Sequence, residues 1–180
     1  MNLLQPRWQQ ALSNLITDPS DLLAMLSLSE AEIPWQWDKE FPLRVTHSFV
    51  ERMKKGDPHD PLLRQVLPVT DESQPSLYSF DPLQESQFNP VPGVLHKYPS
   101  RVLITFTTSC AIHCRFCFRR HFPYEENNPG RKGWADMLHY IAKHPEIMEV
   151  ILSGADPLVA NDDMIGSFLE QLANIPHVRF

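Results

Sequence analysis

The sequence predicts an α/β protein in which an N-terminal helical region is followed by the first strand-helix units of a parallel α/β barrel. Three observations carry this. Apolar residues recur at helical spacing near the start, a proline-rich stretch without sustained period follows, and from residue 101 short apolar runs alternate with amphipathic segments. The expected organisation is a helical region over 1–67, a connector over 68–100, and an incomplete strand-helix core over 101–180.

Trp8, Ala11, Leu12, Leu15 and Ile16 mark the first helix, with Pro6 tolerated near its start. A shorter helix is expected over 20–28. A third begins at Thr46, a good cap, and runs to Lys55, where Gly56 supplies the stop. Pro75, Pro82, Pro90, Pro92 and Pro99 then resist both helix and central strand, so the connector reads as ordered but irregular. Residues 101–107 form a strand candidate. Trp134, Met137, Leu138 and Ile141 mark a helix, and 149–153 a second strand. Met164, Ile165, Phe168, Leu169 and Leu172 share a further helical face, and 178–180 begins another strand. Strands separated by helices pair in parallel, and in barrels of this kind reactive groups collect at the strands' C-terminal ends.

With 180 residues, 42% hydrophobic and 21% charged, the chain can bury a core and is not of the disordered class. No apolar run approaches the roughly 20 residues that span a bilayer, and no basic-then-apolar leader opens the chain, so a cytoplasmic protein without a membrane partner is expected. A net charge of −6 argues against nucleic acid as a partner. Arg115, Arg119, Arg120 and His121 form the one basic cluster, and they are expected to bind carboxylate or phosphate.

All three cysteines, Cys110, Cys114 and Cys117, fall in one eight-residue run directly after the first strand candidate. Thiolates suit iron–sulfur clusters, and a four-iron cubane ordinarily takes four of them, so three leave one iron open to a small molecule. Structural zinc would want a fourth ligand, and His113, lying between Cys110 and Cys114, closes a tetrahedron poorly from so short a loop. A thiol–disulfide pair of Cys114 and Cys117 would leave Cys110 without a role, and a secreted disulfide framework disagrees with the odd, crowded cysteines.

Cys-x3-Cys-x2-Cys with Phe116 before the last cysteine resembles the signature of radical S-adenosylmethionine enzymes. The segments 60–65 (DPLLRQ), 96–103 (HKYPSRVL), 114–122 (CRFCFRRHF) and 152–158 (LSGADPL) are similar, in order and spacing, to lysine 2,3-aminomutases. The run 117–124 looks most like the bacterial branch that makes (R)-β-lysine for elongation factor P. The resemblance implies a radical S-adenosylmethionine partial TIM barrel, truncated here, and an isomerase converting L-lysine, as (S)-α-lysine, to (R)-β-lysine.

It also implies a [4Fe-4S] cluster on Cys110, Cys114 and Cys117, with S-adenosyl-L-methionine on the open iron and against Gly154, Ala155 and Asp156. Alanine replaces the family's usual second glycine there, and were positive φ needed, Ala155 would be strained. The bland alternative is that Asp156 only caps the turn into Pro157. Lys97, Tyr98 and Arg101 would hold pyridoxal 5′-phosphate, with Lys97 where the family more often has Arg. A strand-edge charge would equally explain Arg101, and a packed aromatic Tyr98. Arg119 matches the residue that pairs with the substrate carboxylate. No catalytic residue is assigned within the chain. The resemblance places the pyridoxal-binding lysine and the carboxylates for the substrate's distal ammonium beyond residue 180, so this portion is expected to be inactive alone. A one-electron reductant is implied, and a homo-oligomer is left open. Competing expectations are another radical S-adenosylmethionine aminomutase, for instance of glutamate, a non-catalytic iron–sulfur module, and a zinc-stabilised interaction domain.

Overall fold

The computed structural model describes residues 7–73, 79–128 and 130–179. Pro6, Pro75 and Phe180, which enter the sequence expectations, lie outside them. The chain divides into two compact units, one within residues 1–79 and 111–120, the other within 80–110 and 121–180.

The first unit contains α1 (Arg7–Ser13), β1 (Leu15–Ile16), α2 (Pro19–Met25), β2 (Val45–Thr46) and α3 (His47–Val50). Leu15 and Ile16 leave the helix expected to include them and pair antiparallel with Thr46 and Val45. Asp18 starts α2 by accepting the Ser20 N–H at 2.8 Å, and Pro19 occupies the first turn, where its missing N–H costs nothing. Leu22, Leu23 and Leu26 are fully buried, each stabilising the unit by roughly 1.5–3 kcal/mol. The helix stops short of residue 28 because Ser27 turns to φ 56° and the Leu28 N–H reaches back to the Leu23 carbonyl.

Thr46 caps α3 as expected, its hydroxyl accepting the Phe49 N–H at 3.3 Å. The helix nevertheless ends at Val50 rather than Lys55. The Lys54 N–H goes to the Asp60 carboxylate and the Gly56 N–H to the Leu26 carbonyl, so these donors are withdrawn from a helical ladder.

Asp60 is buried and also accepts the Leu62 and Leu63 N–H groups at 2.8 and 2.9 Å. Burial by itself would raise its pKa, but the Lys54, Leu63 and Leu62 donors outweigh it and hold the carboxyl below the ordinary aspartate value. A depressed carboxylate stabilises the fold above its unfolded pKa and loses that contribution as pH falls through the lower folded value. Asp60→Ala is therefore expected to cost about 2–3 kcal/mol at neutral pH by orphaning these donors. It should also flatten the loss of stability below about pH 4, as urea denaturation across pH would read.

The second unit contains β3 (Val94–Tyr98), β4 (Arg101–Thr107), α4 (Tyr124–Asn127), α5 (Trp134–Ala142), β5 (Glu149–Gly154) and α6 (Asp162–Leu172). The three strands form one mixed sheet in the order β3-β4-β5. β4 and β5 run parallel, as expected, with Arg101 opposite Glu149 and Thr105 opposite Ser153. β3 pairs antiparallel with β4, so the expected irregular connector contains a strand. Pro90, Pro92 and Pro99 flank that strand without interrupting it, and an edge position needs only one ladder. The strand expected from residue 178 is not formed over 178–179. The Val178 N–H closes a turn onto the Ile175 carbonyl, and a single bond from Arg179 to Met148 joins the segment to the start of β5.

α5 buries Trp134, Met137 and Ile141 at i, i+3 and i+7, and α6 buries Phe168 and Leu172 at i and i+4. Leu169, expected on the same face, is exposed. Phe106 of β4, Trp134 and Phe168 form an aromatic triangle with centroids 5.1–6.0 Å apart, joining the sheet to both helices. Asn161 caps α6 by accepting the Met164 N–H, with Asp162 and Asp163 placed favourably in its positive first turn. Among the described residues no helix is long and apolar enough to cross a membrane.

Candidate functional site

β4 ends at Thr107 and leads into the loop carrying Cys110, while β5 ends in the Gly154 turn. Parallel pairing brings these two strand ends side by side, and hydrogen bonds join the segments beyond them. The Thr107 hydroxyl donates to the Asp156 carbonyl at 2.9 Å, the Asp156 N–H to the Ser109 carbonyl at 3.1 Å, and the Ala155 N–H to the Thr107 carbonyl at 3.3 Å. The Tyr124 hydroxyl donates to the Gly154 carbonyl at 2.8 Å.

Gly154 adopts φ 94°, a region that admits glycine with little penalty. Among the described non-glycine residues only Ser27 and Gln84 have positive φ, so the strain considered for Ala155 does not arise. The Asp156 carboxylate accepts the Leu158 N–H at 3.0 Å and caps the short turn Pro157–Val159. The local capping role is therefore present, whatever else that residue does.

Lys97, Tyr98 and Arg101 gather where β3 turns into β4, with Tyr98 opposite Arg101. Lys97 Nζ donates to the Leu83 carbonyl at 2.8 Å and stands 5.2 Å from the Phe88 ring centroid. Tyr98 is 60% exposed, which makes it an unpacked aromatic. Arg101 pairs with Glu149 across the parallel ladder at 3.1 Å, a half-exposed strand-edge ion pair worth little by itself. His96 Nδ1 lies 2.8 Å from the Tyr140 hydroxyl and fastens this turn to α5.

Cys114, Cys117 and Arg119 lie in the segment 111–120, which belongs to the first unit. The Cys117 N–H donates to the Cys114 carbonyl at 3.1 Å, and the Arg120 N–H to the Cys117 carbonyl at 3.3 Å. None of the three cysteines is in a disulfide, and none is buried. Partial desolvation, followed by the neighbouring Cys117, pushes the Cys114 thiol above its ordinary value. Arg119 is buried, its guanidinium 4.7 Å from the Phe118 ring centroid.

Two members of the basic cluster depart from expectation. The Arg115 and Arg120 guanidiniums are taken up by the chain's own Asp38 and Glu72, so anion binding by these two is corrected to internal neutralisation. His113 is also committed. Its Nδ1 donates to the Pro42 carbonyl at 3.0 Å, and its ring stacks on Phe41 with centroids 4.7 Å apart. Burial pushes it below the ordinary histidine value against that hydrogen bond, with Arg44 and Arg115 acting in the same direction as burial. Asp38 and Glu72 were not legible as partners, since 77 and 43 residues separate them from Arg115 and no periodic signal links such positions.

Among the described residues no three His, Cys, Asp or Glu side chains converge to hold a metal ion, so neither the tetrahedral set that structural zinc requires nor a gathered trio of Cys110, Cys114 and Cys117 is found there. Thiolates are the donor type that an iron–sulfur cluster takes, and none of the three cysteines is buried.

No protein-family model matches the chain. It is 47% identical over 177 residues to the L-lysine 2,3-aminomutase of Escherichia coli K12, covering 96% of this chain and 51% of that protein. It is 44% identical over 178 residues to the L-lysine 2,3-aminomutase of Haemophilus influenzae, covering 97% of this chain and 53% of that protein. The Bacillus subtilis L-lysine 2,3-aminomutase is 33% identical over 175 residues, 95% of this chain and 37% of its own. The chain spans about half the length of the first two relatives. It is a homologue of the L-lysine 2,3-aminomutases.

Proposed function

We propose that this chain is part of a radical S-adenosylmethionine isomerase that converts L-lysine to (R)-β-lysine for the modification of elongation factor P. The observation that carries the reading is a Cys-x3-Cys-x2-Cys run directly following β4, in a loop bonded through Ser109 and Thr107 to the Gly154 turn. The names of the relatives support the lysine chemistry, and the parallel β4–β5 pair with its helices is read as the first units of a partial TIM barrel.

Cys110, Cys114 and Cys117 hold a [4Fe-4S] cluster and leave one iron for S-adenosyl-L-methionine. Gly154, Ala155 and Asp156 present the turn that receives the cofactor's methionine ammonium. Lys97 and Arg101 supply positive charge for the pyridoxal 5′-phosphate group, Tyr98 lies beside its ring, and Arg119 offers a planar fork to the substrate carboxylate. When bound, these cofactors supply the hydrogen-abstracting radical and the electron-delocalising ring, while the chain's tasks are holding and orienting. Cysteines outside any disulfide suit a reducing cytosol, and an external one-electron reductant completes the requirements.

The test is anaerobic reconstitution with iron and sulfide, reduction, and titration with S-adenosyl-L-methionine while the cluster's electron paramagnetic resonance signal is followed. A saturable change in the signal is expected, from ligation at the open iron. A signal unmoved by the cofactor would mark a non-catalytic iron–sulfur module and overturn the reading.

A further inference from the structure

We infer that Asp38 and Glu72 are positioning residues that hold the segment bearing Cys114 and Cys117 in place and cancel the charge of Arg115, which is buried, and of Arg120, which is partly buried. Arg115 lies between those cysteines, and its side chain is only 4% exposed. Its Nε lies 3.0 Å from both Glu72 oxygens, one terminal nitrogen donates to Glu72 at 2.6 Å and to Asp38 at 2.9 Å, and the other donates to the Phe41 carbonyl at 2.6 Å. Arg120 joins from the far side of Cys117, donating to Glu72 at 2.7 Å and to Asp38. Both guanidiniums also stand about 5 Å from the Phe41 ring centroid.

The carboxylates are themselves oriented by backbone. One Asp38 oxygen accepts the Glu40 and Phe41 N–H groups at 3.0 and 2.9 Å, leaving the other for both arginines. Glu72 accepts the Val69 N–H at 3.3 Å. The segment's own backbone is tied at two further points, His113 N–H to the Arg44 carbonyl and Arg115 N–H to the Gln65 carbonyl. Two positive groups meet two negative ones in a largely water-excluded place, so removing one carboxylate leaves an uncompensated cation in the loop.

This inference rests on the cluster reading for its electrostatic part only. An added positive charge beside a cluster favours the reduced, more negative state and raises the reduction potential. The test uses the full chain as wild type, as Glu72→Gln, and as Glu72→Gln combined with Arg120→Gln, which restores charge balance.

In Glu72→Gln, amides of residues 111–120 should exchange hydrogen about tenfold faster or more, with β4 and α5 unchanged. The potential of the reconstituted cluster should move positive and return toward wild type in the double variant. Unchanged exchange in 111–120, or equal acceleration throughout the first unit, overturns the positioning role. An unmoved potential in a variant that keeps its cluster overturns the charge-cancelling role. Should the wild type take up no cluster, the proposed function fails instead, and the exchange measurement still decides the positioning.

Discussion

Alanine at any one of Cys110, Cys114 or Cys117 is expected to abolish cluster binding. Three thiolates are one fewer than a cubane ordinarily takes, and a further loss leaves two irons open to water and to dissociation. Hydroxyl and carboxylate side chains do not replace a soft thiolate on iron. The effect should be nearly all-or-none when iron and acid-labile sulfide are counted per chain after anaerobic reconstitution. Cys114 is exposed, so its replacement should leave the far-ultraviolet circular dichroism of the metal-free protein unchanged. That separates a lost ligand from a lost fold. Wild-type iron content in any single variant would remove the cluster assignment.

Gly154→Ala should have the largest effect on folding stability. Two costs add at this position. Its φ of 94° is unfavourable to any L side chain, by about 1–2 kcal/mol. An added Cβ would also lie 2.7 Å from Thr105 Cγ2 and 3.1 Å from both the Thr105 Cα and the Thr107 carbonyl oxygen. Thr105 is buried and two of those contacts are backbone of β4, so relief requires moving a paired strand, at roughly 1–3 kcal/mol. The total is about 2–5 kcal/mol, readable as a lowered urea midpoint and as faster exchange of β4 and β5 amides. Gly56→Ala is the control. It shares a positive φ of 72° but has nothing within 4 Å of the added carbon, so only the conformational cost of about 1 kcal/mol should appear. Equal effects at the two sites would show that the crowding around Gly154 is relieved without loss.

Much of the second unit was readable because its residues report on their own neighbourhood. The helical spacing of Trp134, Met137 and Ile141 needs only a core on one side, and the apolar runs of β4 and β5 separated by a helix imply parallel pairing. The β3 strand was hidden by the prolines around it, which mark its borders and not its interior. The helix expected over 20–28 was overestimated because Ser27 turns locally to positive φ, and α3 because its later donors go to acceptors outside the helix. Asp60 takes the Lys54 donor and the Leu26 carbonyl takes that of Gly56.

The candidate site divides in the same way. The amino-acid sequence by itself determined the thiol spacing of Cys110, Cys114 and Cys117, the glycine at the end of β5 and the cap at Asp156. Each of these is a local matter of ligand type, backbone freedom or a hydrogen bond two residues away. Only the tertiary structure decided that Arg115 and Arg120 are spent on Asp38 and Glu72, that Tyr124 holds the Gly154 carbonyl, and that Arg101 faces Glu149. A charged or hydroxyl side chain carries no mark of its partner in one dimension. Which opposite charge or carbonyl it meets depends on how strands and loops many residues apart are folded together.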